Sequence, residues 1–174
     1  MEKIKKIKEA GNTFELAGLK WTVLEVTEKG YMCLAERLEG SMHFGSNNDW
    51  KESDIRKYLN GEFAEKLANE IGAENIIEFE RDLLSLDGQT EYGSCTDKVS
   101  LLTFDEYRKY RNHIPNSNYW WWLLTPDSTP CNNDSAWIRV VSTSGCILFD
   151  DYYINYYGVR PVCIFSSAIF ESEE

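Results

Sequence analysis

The order of apolar and polar positions divides this chain into a strand-rich start, a helical middle and a strand-rich end. Trp21, Val23 and Glu25 alternate with Thr22, Leu24 and Val26, and Tyr31 to Ala35 forms a second apolar run. Period-two alternation is the signature of strands. Glu28-Lys29-Gly30 lies between the runs and supplies a turn, because glycine adopts positive φ without a Cβ clash. Phe14 to Glu36 therefore predicts two or three strands, including a β-hairpin. Ile55, Tyr58, Leu59, Phe63, Leu67 and Ile71 then recur at helical spacing. Ser53 is placed to cap that helix and Asp54 to sit at its positive end. Asn60-Gly61 is the point where the helix is expected to divide.

Residues 72–98 carry no sustained period. Ile76, Ile77 and Phe79 predict a short strand, and Gly88, Gly93, Ser94 and Thr96 mark irregular loops. Val99 to Leu102 predicts another strand. Thr103-Phe104-Asp105-Glu106 reads as a capping box, which starts a helix with Phe104, Tyr107 and Tyr110 on one side and Pro115 beyond its end. From Tyr119 the chain turns aromatic. Alternation through Trp120-Trp121-Trp122 buries Trp120 and Trp122 and exposes Trp121, or the reverse. Ala136, Ile138 and Val140 share one face of a strand, with Trp137, Arg139 and Val141 on the other. Cys146 to Phe149 returns as its hairpin partner. Val159 to Phe165 predicts the last strand, and Pro161, which donates no ladder bond, places its start at an edge or a bulge. The reading divides the chain into a lead-in over 1–12, one globular domain over 13–168 and an acidic tail over 169–174.

Composition narrows the function. The chain has 174 residues, 43% of them hydrophobic and 14% aromatic, enough for one folded domain with a sizeable core. With 18 basic and 29 acidic residues the net charge is -11, which disfavours direct binding to a phosphate backbone. An acidic surface suits a basic protein partner, or imitates nucleic acid towards a protein that binds it. The 5 cysteines include no CxxC, so neither a disulfide framework nor a zinc site is signalled. Lys3, Lys5, Lys6 and Lys8 precede no apolar stretch, and no apolar run approaches the ~18 residues of a membrane span. Cytoplasmic residence is the resulting expectation.

Four ordered segments carry a family resemblance. They are Trp50-x-x-Ser53-x-Ile55-Arg56-x-Tyr58-Leu59-Asn60, Asp97-Lys98-Val99-x-Leu101-Leu102, Trp121-Trp122-Leu123 and Gly158-Val159-Arg160-Pro161-Val162. The chain resembles a family of gut Firmicutes and their mobile elements known as domain of unknown function 6273, over roughly residues 12 to 166. That family is similar to the C-type-lectin-like fold of formylglycine-generating (sulfatase-modifying) enzymes and of the variable proteins of diversity-generating retroelements. The resemblance implies an α+β, C-type-lectin-like single domain with antiparallel strands and two or three helices, in which Gly158-Val159-Arg160 ends the domain and a variable face lies just before it. Two departures stand out. Leu124 follows Trp-Trp-Leu where the family usually has arginine, and Cys131 and Cys146 do not reproduce the close cysteine pair of the formylglycine enzymes.

Candidate chemistry is sparse. The 2 histidines, His43 and His113, lie in no catalytic motif, and a Cys131–His113 dyad has no sequence support. No phosphate-cradling glycine motif occurs. Asn132-Asn133-Asp134 and Asp150-Asp151 offer oxygen ligands of the kind calcium takes, but turn chemistry explains them equally well, and the lectin signatures Glu-Pro-Asn and Trp-Asn-Asp are absent. No cofactor or metal is assigned, and no enzymatic activity is expected. Tyrosine mixed with Asp and Asn is the composition of an adaptable protein-binding surface. The expected binding residues are Tyr119, Trp121, Asn132, Asn133, Asp134, Asp150, Asp151, Tyr152, Tyr153, Asn155, Tyr156 and Tyr157. The expected function is recognition of another protein, with an inhibitor of host nucleic-acid machinery, in the manner of an anti-CRISPR protein, as the alternative.

Overall fold

The computed structural model describes residues 3, 4 and 9–171. Half of the expected lead-in (residues 1–2 and 5–8) and the last residues of the expected tail (172–174) lie outside the described residues. The fold is α+β with mostly antiparallel sheets.

The first sheet begins with β1 (Thr13–Leu16), β2 (Leu19–Val26) and β3 (Tyr31–Ala35). Leu16 pairs with Leu19, leaving Ala17 and Gly18 as a two-residue turn in which both have positive φ, 54° and 72°. That turn type matches the twist of the strands it joins. The Ala17 amide donates to Glu70 at 3.1 Å, which anchors the turn. The predicted hairpin joins β2 to β3. Its Gly30 is needed for space, because a Cβ there would lie 2.2 Å from the carbonyl oxygen of Phe165. β10 (Val162–Phe165) enters between β3 and β4 (Ile76–Ile77), so the last strand is interior to the sheet. This corrects the edge or bulge expected from Pro161. The proline stands one residue before the strand and only accepts, from the Ala35 amide at 2.8 Å.

Ser53 caps α1 (Asp54–Tyr58), accepting from the Arg56 amide at 3.1 Å. The expected break at Asn60-Gly61 is instead a π-turn, Leu59–Phe63, that runs on into α2 (Ala64–Ile71). The Asn60 amide group explains the wide turn. Its Nδ2 donates to the carbonyls of Arg56 (3.0 Å) and Val99 (2.8 Å), and its Oδ1 accepts from the amides of Lys98 (3.0 Å) and Val99 (3.1 Å). Ile55, Leu59, Phe63, Leu67 and Ile71 are buried as the spacing predicts, whereas Tyr58 faces solvent.

The segment without a period forms a ribbon of β5 (Phe79–Asp82) and β6 (Ser94–Asp97). Arg81 is buried in it and donates to Ser100 Oγ (2.9 Å), to the Leu101 carbonyl (2.8 Å) and to Glu106. Glu106 also closes the capping box with Thr103 at the start of α3 (Phe104–Lys109). One carboxylate therefore ties the ribbon to the helix. Val99 to Leu102 is not the strand expected, since only Ser100 pairs, with Val162.

The third sheet orders β7 (Trp121–Pro126), β8 (Trp137–Val141) and β9 (Ile147–Asp151). All of β7 is buried. Trp122 and Leu124 pack with Trp21, Phe44 and Trp50, while Trp121 and Leu123 pack on the other side with Leu34 and Tyr107. Core on both faces overrides the alternation rule, so Trp121 and Trp122 are both buried and Trp120 is half-buried. Leu124 is fully buried among apolar side chains and needs no polar partner in this setting. The core also runs past residue 168. Ile169 and Phe170, assigned to the tail, are buried, and Ile4 pairs with Phe170.

Candidate binding face

β8 and β9 pair with Arg139 opposite Phe149 and Trp137 opposite Asp151. Ile138 and Val140 turn inward and are fully buried. Trp137, Arg139 and Phe149 therefore turn outward, by the period of the strand. Trp137 is 43% exposed and Phe149 48%, values that leave half of each ring free for contact. Their ring centroids lie 5.1 Å apart at 40°. The Arg139 guanidinium sits 5.2 Å from the Phe149 ring centroid and is ion-paired with Asp127. Asp151, opposite Trp137, accepts from the Tyr153 hydroxyl at 3.2 Å, and Tyr153 is 61% exposed. The result is an aromatic surface, Trp137–Phe149–Tyr153, edged by Asp127, Asp134 and Asp151.

The polar loop after Pro126 is held in place from within. Pro130–Asn132 makes one 3-10 turn and Asn133 adopts the left-handed conformation at φ 57°. Asp134 accepts from the amides of Ala136 (2.9 Å) and Trp137 (3.2 Å), which satisfies the entry to β8. Ser128 and Asn132 donate to Asp87 at 2.6 and 3.2 Å. These donors, with Ser85, hold the Asp87 carboxyl below its ordinary range. Asn48 reaches under the loop to the carbonyls of Ser128 (3.1 Å) and Trp137 (3.2 Å). Of the side chains considered as calcium ligands, Asp134 is engaged by the turn, Asn132 donates to Asp87, Asp150 accepts from Tyr157 and Asp151 accepts from Tyr153. Among the described residues no group of three or more His, Cys, Asp or Glu is arranged to hold a metal ion.

The expected site residues divide three ways. Asn132, Asn133, Asp134, Asp151, Tyr152 and Tyr153 belong to or flank the surface just described; Tyr152 is half-buried, with its ring edge-on to Tyr153 at 5.5 Å. Tyr119 and Tyr156 are exposed in a second group, and Asn155 is exposed with its carbonyl accepting from Ser41. Tyr156 packs edge-on to Tyr157, which stacks on Trp120. Trp121 and Tyr157 are corrections. Trp121 is 1% exposed and cannot meet a partner, because β7 is covered on both faces. Tyr157 is buried, donates to Asp150 and contacts Trp122, so Tyr157 and Asp150 are structural. Burial and the Asp150 carboxylate push the Tyr157 hydroxyl well above its ordinary pKa.

Trp137 and Phe149 were missed as site residues. The signal was present, since Trp137 shares a strand face with Arg139, and a charge on that face marks it as the solvent side. The nucleophile candidates do not assemble. The Cys131 amide donates to Glu91 at 2.9 Å, and hydrogen bonding to that carboxylate raises the Cys131 thiol pKa. His113 lies beside Gly11, and Cys146 accepts from Ser144.

The family model described as Domain of unknown function (DUF6273) matches residues 22–113 and, in a second match, 83–167. The chain belongs to this family. The DUF6273 span takes in the capped helix, the ribbon and the whole Trp137–Phe149–Tyr153 surface. No curated protein and no solved structure matches the chain. Among the described residues no helix is long and apolar enough to cross a membrane.

Proposed function

We propose that this DUF6273 domain is a non-catalytic recognition module whose aromatic and acidic face binds the basic surface of another protein, and that its fold is C-type-lectin-like. The observation that carries the function is the exposed Trp137–Phe149 pair on the outer face of a rigid sheet, edged by carboxylates. Rigid aromatic rings are the residues that anchor interfaces, at low entropic cost. Asp134 and Asp151, on a chain of net charge -11, steer a cationic partner towards those anchors. The fold reading rests on the Gly158-Val159-Arg160 element near the end of the domain and on the largely antiparallel sheets.

The test is affinity capture with the wild-type chain and with a Trp137→Ala/Phe149→Ala double variant whose circular dichroism and melting match wild type. Both side chains point out of the sheet, so the double variant folds. The reading predicts that a captured basic protein is lost from the double variant and weakened as salt is raised. Capture that is indifferent to both changes refutes it.

A further inference from the structure

A second site lies at the other end of the chain's chemistry, around Arg160. This residue is 3% exposed, too little for water to solvate its charge. Its Nε donates to the Ala35 carbonyl at 3.0 Å and its Nη1 to the Pro115 carbonyl at 3.2 Å. Among the described residues Nη2 makes no hydrogen bond and no carboxylate pairs with the guanidinium. The group lies 4.7 Å from the centroid of the Trp121 ring. Burial pulls its pKa down to about 10, against the opposing influence of Tyr107 and Glu36. A buried cation without a counter-charge is costly, and a fold retains one most readily where an anion completes it.

Arg160 lines a pocket of about 700 Å³ together with Lys20, Glu36, Arg37, His113 and Tyr119. The Arg37 guanidinium stacks 3.6 Å from the Tyr119 ring centroid and donates to the Gly40 carbonyl at 2.8 Å. Its stem lies against Gly158, where a Cβ would come within 2.6 Å of Arg37 Cδ, so the glycine makes room for this wall. Among the described residues Glu36 is the one carboxylate in the lining. It accepts from the Lys20 amide at 3.1 Å and forms no ion pair with Arg160. Among the described residues, three permanent cations against one carboxylate give this pocket the opposite sign to the chain, whose net charge is -11.

We propose that this pocket binds a small organic anion through a carboxylate or phosphate group seated on Arg160, with Arg37 and Lys20 beside it. An arginine fork matches both oxyanions. The volume suits a small molecule. A polyanion is opposed by the acidic surface around it. The pocket shares no lining residue with the Trp137–Phe149 surface, so the two readings stand or fall separately.

The experiment titrates the full chain with acetate in one arm and inorganic phosphate in the other, at constant ionic strength, following the Arg160 Nε–H resonance by NMR. A saturable shift in either arm is expected, and the arm that saturates identifies the oxyanion. Lys20→Glu alters only an exposed wall residue and is expected to weaken that binding several-fold without lowering the melting temperature. Linear, unsaturated shifts in both arms overturn the proposal, as does binding that Lys20→Glu leaves unchanged.

Discussion

Replacing Asn60 with alanine tests how the helix is joined to the sheet region. The side chain makes four hydrogen bonds from the π-turn, and three go to Lys98 and Val99 across 38 or 39 residues of sequence. The fourth partner, the Arg56 carbonyl, keeps a second donor in the Leu59 amide. Asn60→Ala therefore strands three backbone groups, two of them on Val99, which is fully buried. At ~1 kcal/mol of net stability per bond the loss is about 3 kcal/mol. For a domain of this size each kcal/mol moves the melting temperature by roughly 2–4 °C, so a fall of about 6–12 °C is expected. Gly61 is the internal control. It lies in the same turn, no atom comes within 4 Å of a Cβ built there, and its φ is not positive. Gly61→Ala should raise stability by about 0.5–1 kcal/mol. Urea unfolding followed by tryptophan fluorescence, with thermal melts by circular dichroism, reads both. A loss below about 0.5 kcal/mol for Asn60→Ala would mean that water replaces the side chain, and the clamp argument would fail.

Alkaline pH should destabilise the fold in a defined window. Tyr92, Tyr110 and Tyr157 all have pKa values raised above 10.0, chiefly by burial, with the carboxylates of Glu25 and Asp150 adding to the shift at Tyr110 and Tyr157. Above that pH the unfolded chain releases protons that the native chain keeps, so the stability these groups contribute is intact below pH 10 and is lost as pH rises beyond it. Absorbance titration at the phenolate band should show these three ionising only with unfolding, and early ionisation of all the tyrosines would contradict it. At Cys131, Glu91 raises the thiol pKa, so Glu91→Gln should speed alkylation at pH 8, while Cys33 and Cys163 stay unlabelled until the chain unfolds. Equal labelling rates in the Glu91→Gln protein would remove the assigned role of that carboxylate.

Much of the local structure was legible because its causes are local. The Ser53 cap and the Thr103–Glu106 capping box join residues three apart, and the β2–β3 hairpin joins neighbouring runs. The ribbon of β5 and β6 was missed because only Phe79 and Cys95 in it are apolar and its stability comes from Arg81 reaching Ser100, Leu101 and Glu106. The candidate face was legible in part. The tyrosine-aspartate run led to Tyr153 and Asp151, but Trp137 and Phe149 stayed hidden in a segment read as a plain hairpin.

The sequence alone determined the family, the α+β class, the acidic character and most element starts and stops. The acidic character depends on composition and the starts and stops on contacts within a few residues, whereas the family, and the α+β class that the resemblance implies, rest on motifs ordered along the whole chain. Only the tertiary structure decided which tryptophans are buried, since Trp121 and Trp122 both meet core on opposite faces of β7. Only it turned Asn60 into a clamp rather than a break. Only it gathered Lys20, Arg37 and Tyr119 around Arg160. In each case the partner comes from a distant part of the chain, and burial depends on what covers a side chain from both sides, which a periodic pattern along one segment does not record.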